Sequence, residues 1–226
     1  MRRWICLCSM VALFALGQVP QASALPVLTF QQQGYADLVV TDTDSNGIVS
    51  FFGTYGTYAL NFTAGTSVLP LGNPDVAQLD LFSLNAVGSS GGTLNITLAD
   101  SGFALPVSDG TDVTARADVG AVVTPIGFNS QGSVEFQSYV NGLPVYSTPV
   151  VMNAPGGFTS DELLLTYNGP LSLLSRATVS FTGAGATSFN QSVLVNVPEP
   201  ASLALFGTGL VGLAGLVRRR LRKRVS

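Results

Sequence analysis

The stretch DTDSNGIVS, which begins at Asp42, places short oxygen-bearing side chains at the spacing of a calcium-binding loop. Asp42, Asp44 and Asn46 fall on positions 1, 3 and 5 of a twelve-residue calcium loop, and a glycine falls on position 6. Ser50 falls on position 9, but position 12, where a glutamate usually closes the cage, is Gly53. Since Asp, Asn and Gly also form hairpin turns without an ion, these four candidate calcium ligands and a plain turn remain alternatives.

The residue types that catalysis needs are scarce. The chain contains no histidine, and residues 25–197 contain no lysine or cysteine. These absences exclude a Ser-His-Asp triad, a thiol nucleophile, Schiff-base chemistry and a transition metal held by His or Cys. A carboxylate pair of the glycosidase kind remains, with Glu135, Asp161 and Glu162 as candidates. Because adjacent Asp161 and Glu162 would point to opposite faces of a strand, we expect no catalytic residues and no enzyme.

Tyrosines offer a third kind of chemistry, because an exposed ring can stack on a sugar. Residues 25–197 contain no tryptophan, and their tyrosines are Tyr35, Tyr55, Tyr58, Tyr139, Tyr146 and Tyr167. Most aromatic residues in strands belong to a core. Tyr139 is the best candidate for a glycan contact, since alternation places it on one polar strand face with Glu135 and Gln137.

Short runs bounded by turn residues must position these side chains. GTLNITLADSG at 92–102 and GSVEFQSYVNG at 132–142 alternate apolar and polar residues, and no stretch keeps a helical period for three turns. About ten such runs in residues 25–197 predict an all-β fold. We expect one antiparallel β-sandwich domain, of jelly-roll or immunoglobulin-like type.

The N-terminal residues 1–24 have the composition of a secretory signal peptide. Two arginines precede an apolar stretch, and Ala22 and Ala24 form the small-x-small site that signal peptidase accepts. Cleavage after Ala24 would remove both cysteines of the chain, so the remainder would fold without a disulfide.

The charge of residues 25–197 is strongly acidic. Twelve Asp and Glu residues stand against Arg116 and Arg176, which gives a formal charge of −10. A domain with this charge, which we call the body of the protein, would repel nucleic acid and anionic lipid and attract divalent cations. We therefore expect no nucleic-acid partner.

The C-terminal region 198–226 begins with Pro198, Glu199 and Pro200, which favour an extended segment that a protease can reach. Residues 201–217 carry no charge, and a helix of that length would reach about 26 Å, the lower limit for crossing a bilayer. The basic residues that follow would hold the end of this transmembrane helix in the cytoplasm. They are Arg218, Arg219, Arg220, Arg222, Lys223 and Arg224.

Residues 197–224, VPEPASLALFGTGLVGLAGLVRRRLRKR, resemble the PEP-CTERM sorting signal of Gram-negative bacteria: a Pro-Glu-Pro motif, a short apolar helix and an Arg-rich end, in that order. The resemblance implies that an exosortase recognises and removes this tail. It also implies transfer of the body to the cell surface or extracellular matrix, in bacteria that produce exopolysaccharide and form biofilms or flocs.

These patterns together favour a non-catalytic, exported surface or matrix protein that associates with exopolysaccharide. The alternative is a calcium-dependent carbohydrate-binding module, and a carboxylate-based glycoside hydrolase comes third. The expected partners are signal peptidase, an exosortase and exopolysaccharide, and calcium is the one cofactor that the residues suggest.

Overall fold

The computed structural model describes residues 25–68, 76–105, 107–126, 130–153 and 157–197. Within these ranges the chain forms thirteen strands, against the predicted ten or so, and no helix, which confirms the all-β fold. The strands are β1 (Val27–Gln32), β2 (Leu38–Thr41), β3 (Ile48–Tyr55), β4 (Tyr58–Val68), β5 (Val76–Gly88), β6 (Gly92–Phe103), β7 (Asp112–Pro125), β8 (Gly132–Val140), β9 (Leu143–Pro144), β10 (Val150–Met152), β11 (Gly157–Thr166), β12 (Leu171–Phe181) and β13 (Gly185–Asn196).

Both predicted targeting regions, 1–24 and 198–226, lie outside the described residues, and so does the predicted transmembrane helix 201–217. Within the described ranges, no helix has the length and apolar composition that a membrane span requires.

The strands form two antiparallel sheets. The first sheet has the order β10-β8-β12-β6-β1-β2, with β9 paired to β8, and the second has the order β11-β7-β13-β5-β4-β3. Consecutive strands from β5 to β8 alternate between the sheets, and so do those from β10 to β13. This strand order agrees with the jelly-roll alternative of the predicted sandwich.

The two sheets face each other across one hydrophobic core. Strict alternation along β6 turns Leu94, Ile96 and Leu98 inward, where their side chains are fully buried. In β8 the inward Phe136 meets Phe189 of β13 edge-on, with ring centroids 5.3 Å apart. The period of two therefore commits one face of each strand to the core and leaves the other face available for contacts outside it.

The ring of Phe181, at the end of β12, requires two glycines beside it. A Cβ atom at Gly132 of β8 or at Gly185 of β13 would overlap the Phe181 ring. Gly132 belongs to the first sheet and Gly185 to the second. Since glycine alone leaves room there, this end of the sandwich closes around an aromatic ring.

Four tyrosines are buried and use their hydroxyls to hold the fold together. Tyr58 of β4 donates a hydrogen bond to the carbonyl of Gly92 in β6 at 2.7 Å, and burial raises its pKa to about 12. Tyr146 donates to the carbonyl of Ala117 in β7 at 2.8 Å. The Tyr55 hydroxyl donates to the carbonyl of Ala36, whereas the Tyr167 hydroxyl accepts from the amide of Leu105. These rings are therefore closed to a sugar.

A polar contact also crosses the core itself. Gln191 of β13 points inward, and its Nε2 donates to the Ser138 Oγ at 2.9 Å and to the Gln137 carbonyl at 3.0 Å, both in β8. Gln191 and Ser138 are both buried, so this pair fixes how the two sheets lie against each other.

Asp80 of β5 is a buried carboxyl with few partners. It is 4% exposed, and its Oδ2 accepts a hydrogen bond from Gln78 at 2.5 Å, while Oδ1 has no hydrogen-bond partner in the part of the chain described. Burial raises the pKa of Asp80 to about 6, and the Gln78 bond only partly offsets this. The folded protein therefore holds the Asp80 proton more tightly than the unfolded chain does.

We expect the stability of the protein to fall as the pH rises from about 4 to about 6, because Asp80 must then lose its proton in a buried position. Asp80→Asn keeps the shape without the charge. It should remove this slope and raise the free energy of unfolding at pH 7 by on the order of 2 kcal/mol. Urea unfolding of the full-length chain between pH 4 and pH 7 measures both effects, with exposed Asp109→Asn as the control. An unchanged slope in Asp80→Asn would contradict the assignment.

Candidate functional site

A cleft of about 640 Å³ lies on the outward face of the first sheet, at the end where β8 turns into β9. We call it the Tyr139 cleft. Its lining combines a tyrosine, aliphatic side chains, an arginine and an aspartate, and it consists of Leu25, Val27, Ala99, Asp100, Ser101, Tyr139, Gly142, Ser172, Leu173, Leu174 and Arg176. This volume and this mixture are typical of small-ligand sites.

The floor of the Tyr139 cleft is one row of side chains across four adjacent strands. Tyr139 of β8 pairs with Leu174 of β12, which pairs with Ala99 of β6, which pairs with Val27 of β1. All four residues alternate with buried neighbours and therefore face outward. The row gives a half-buried aromatic ring beside an apolar surface, which suits the apolar face of a sugar ring.

The β8–β9 hairpin forms the rim of the cleft beside Tyr139. Its two turn residues, Asn141 and Gly142, have φ of +51° and +77°, as a tight Asn-Gly hairpin turn requires. The Asn141 Oδ1 accepts a hydrogen bond from the Ser172 amide at 2.7 Å, and the Asn141 amide donates to the Ser172 carbonyl at 2.9 Å. These bonds hold the hairpin on β12. The turn sequence VNGLP at 140–144 therefore fixes the position of the preceding residue, Tyr139.

Arg176 supplies the positive charge of the cleft. It lies one outward position beyond Leu174 on β12, directly between Gln137 of β8 and Thr97 of β6. Its side chain is exposed and makes neither an ion pair nor a side-chain hydrogen bond with the residues described. Arg116 differs, because its Nε lies 3.0 Å from the Asp118 carboxylate on the second sheet.

Asp100 also lines the cleft. It is buried, and its Oδ1 accepts hydrogen bonds from the Ser101 amide at 2.6 Å and the Leu25 nitrogen at 3.1 Å. The start of β1 is thereby held beside the cleft.

The candidate calcium loop is closed by its own hydrogen bonds. Asp42 accepts from the Gly47 amide at 2.7 Å and from the Asp44 amide at 3.2 Å, and Asn46 Oδ1 accepts from the Ile48 amide at 2.7 Å. Burial alone would raise the pKa of Asp42, but the hydrogen bonds from Gly47 and Asp44 outweigh it and hold that pKa below its usual value.

The other two predicted ligands add little to this loop. The Asp44 Oδ2 accepts from the Asn46 side chain at 2.8 Å, and Ser50 lies exposed in β3. The described residues contain no group of three or more Asp or Glu side chains that could hold a metal. A calcium ion at Asp42 stays a prediction.

The structure separates the three candidate carboxylates. Glu135 is exposed on the outward face of β8 in the first sheet. Asp161 and Glu162 lie on β11 at the edge of the second sheet, where Glu162 pairs with Arg116 across the strands. As neighbours on one strand, Asp161 and Glu162 lie on opposite faces of β11, and Glu135 lies in the other sheet.

The sequence singled out Tyr139 but missed the rest of its cleft. Alternation along β8 was enough to place Tyr139 outward with Glu135 and Gln137. In the sequence Arg176 is one isolated charge, and no local signal places it near Tyr139, because that depends on the register of β12 against β8.

The sorting motif predicted in the C-terminal region matches a family model. The family model for the PEP-CTERM protein-sorting motif matches residues 196–220. No curated protein matches the chain.

Three solved structures illustrate what the rest of the chain is similar to. TmCBM61 in complex with beta-1,4-galactotriose has 8% identity and a TM-score of 0.32, covering 63% of this chain and 90% of that one. A native family 35 carbohydrate binding module from Clostridium thermocellum has 10% identity and a TM-score of 0.22, covering 76% and 93%. The infectious bursal disease virus Gx strain structure has 11% identity and a TM-score of 0.33, covering 81% of this chain and 53% of that one.

Similarities this weak assign neither a ligand nor an activity to residues 25–197, so the function of the body must come from its own residues. The C-terminal region is different, because the resemblance seen in the sequence and the family model coincide there. The chain carries a PEP-CTERM protein-sorting motif at residues 196–220, which indicates an exported protein that is processed by an exosortase.

Proposed function

We propose that this protein is a non-catalytic, exported surface or matrix protein whose β-sandwich binds a glycan in the Tyr139 cleft. The observation that carries the proposal is the row of Tyr139, Leu174 and Ala99, an aromatic and apolar floor on an outward sheet face. A sugar ring can stack its apolar face on such a floor while polar groups at the rim bind its hydroxyls.

The rest of the outward face of the first sheet suits a polymer of sugars. Beyond the cleft, β6 and β12 carry hydroxyl and amide side chains outward, and Thr178 donates to Asn95 at 2.9 Å there. A second cleft, of about 730 Å³, lies near the other end of this face and includes Thr93, Ser133 and Ser180. The exopolysaccharide that accompanies such sorted proteins is therefore the proposed ligand, and it would lie along this face.

The proposal includes no catalysis. In the described ranges, the three carboxylates that the sequence offered lie on different sheets or on opposite strand faces, and the chain contains no histidine. Binding without bond cleavage is what an aromatic cleft without a paired acid and base can do.

Tyr139→Ala should weaken binding of the full-length chain to exopolysaccharide from the producing cells by about tenfold, because the stacking surface is lost. Equilibrium binding in mild detergent measures the loss. Tyr35→Ala is the matched control, since Tyr35 is 49% exposed but lies outside the cleft. Equal binding by Tyr139→Ala and the parent chain would remove the cleft from the proposal.

Sorting requires that the tail is cut off. We expect the protein released from the cell surface to contain no residue beyond Val217, because the exosortase would leave the apolar and basic segment in the membrane. Mass spectrometry of the C-terminal peptide tests this. A released form that retains Arg218 or later residues would mean that the tail acts as a plain anchor.

A calcium-dependent module is the second candidate, and the Asp42 loop is the observation in its favour. Since the loop closes with its own amides, we expect Asp42→Asn to lower the midpoint of thermal unfolding equally in calcium and in chelator. The lowered pKa of Asp42 means that this contribution exists at neutral pH and disappears as the pH falls through that pKa, below 3.8. Asp109→Asn, which removes an exposed carboxylate outside the loop, is the control. Calcium stabilisation that Asp42→Asn abolishes would instead assign an ion to this loop.

A further inference from the structure

The two arginines of residues 25–197 have different surroundings, and this difference concerns the ligand. Arg116 pairs with Asp118, whereas Arg176 is exposed and has no ion-pair partner among the described residues. The body carries twelve acidic residues, so many possible partners exist. A free guanidinium in such a body is therefore available for a negative charge that comes from outside.

Arg176 lies next to the floor of the Tyr139 cleft, where a bound sugar could present such a charge. Tyr139 pairs with Leu174, and Arg176 is the next outward residue on β12, which makes Tyr139 and Arg176 diagonal neighbours. Diagonal neighbours lie about 7–8 Å apart, within reach of aromatic and long side chains. A sugar ring stacked on Tyr139 and Leu174 would thus place one of its substituents within reach of the Arg176 guanidinium.

We propose that the Tyr139 cleft selects an acidic sugar, a hexuronic acid whose carboxylate binds Arg176 while its ring lies on Tyr139. This rests on the proposed glycan-binding function and names the class of sugar. The planar guanidinium offers paired donors that match a carboxylate, and the resulting charge-assisted hydrogen bonds are about twice as strong as neutral ones.

Two acidic residues near the cleft oppose this ligand, and neither removes the charge of Arg176. Glu135 lies diagonal to Arg176 on β8, but the two side chains do not form an ion pair. Asp100 is directed to the Ser101 and Leu25 nitrogens. The formal charge of −10 repels a polyanion at longer range, but the Debye length of about 8 Å at physiological ionic strength limits that repulsion.

The experiment compares short oligomers of galacturonate, glucuronate and mannuronate with the neutral oligomers made by reducing their carboxyl groups. Binding to the full-length chain in mild detergent is measured by calorimetry in chelator, so that calcium does not bridge the charges. We expect at least one uronate oligomer to bind at least about tenfold tighter than its neutral counterpart. Arg176→Gln should abolish that preference.

Three variants make the outcome specific to Arg176. Arg116→Gln changes the net charge by the same amount on the other sheet and should keep the preference. Arg176→Lys retains the charge without the planar fork and should keep only part of it. Glu135→Gln removes the opposing charge and should tighten uronate binding. Thermal unfolding verifies that each variant is folded.

Each other outcome overturns the inference in a recognisable way. Neutral oligomers that bind as tightly as uronates would overturn the acidic-sugar inference and leave the proposed glycan-binding function intact. A preference that survives Arg176→Gln would mean that another group recognises the carboxylate. If no oligomer of either kind bound, both the inference and the proposed function would fail.

Discussion

The sandwich depends on the burial of two inward sheet faces that no disulfide joins, since residues 25–197 contain no cysteine. Apolar packing supplies most of this association, and a few polar contacts give it direction. Gln191 reaches across the core to Ser138, and Tyr58 and Tyr146 bond to backbone carbonyls of other strands. A buried polar group that lost such a partner would destabilise the fold, so these contacts specify one arrangement of the sheets.

This constraint decides where function can lie. Every strand commits alternate residues to the core, so binding chemistry is confined to outward faces, edges and turns. On the first sheet, the strands β8, β12 and β6 bring their outward residues into rows, and one row joins Tyr139 to Leu174 and Ala99. The hairpin turn at Asn141 then raises a rim beside that row. A flat sheet face thereby acquires a cleft without any helix or long insertion.

The local pattern predicted the strands and the outward position of Tyr139, because the alternation of apolar and polar residues can be seen among neighbours in the sequence. It did not show that Tyr58 and Tyr146 are buried, since the burial of a tyrosine depends on which strand of the opposite sheet covers it. The Asp42 loop shows a related limit. The sequence shows side-chain oxygens that could bind an ion. It does not show that the Gly47 and Ile48 amides donate hydrogen bonds to those oxygens in the folded loop.

The same limit applies to charge. Arg116 and Arg176 look alike in the sequence, yet one has a carboxylate at 3.0 Å and the other has none among the described residues. Asp80 was unremarkable as a residue on an alternating run, and only the fold gives it a buried position and a pKa of about 6. Pairing and burial come from the register of strands far apart in the chain, which composition cannot supply.

The hydrogen bond from the Leu25 nitrogen to Asp100 would link the cleft to the predicted removal of residues 1–24. Before signal cleavage after Ala24, that nitrogen is a neutral amide. The predicted cut would turn it into the α-ammonium group, and the contact with Asp100 would then change from a hydrogen bond into an ion pair at the edge of the Tyr139 cleft. Signal peptidase would then do more than release the chain from its leader. It would neutralise a carboxylate that lines the same cleft as Arg176, and the cleft of the exported form would then repel anions less than that of its precursor.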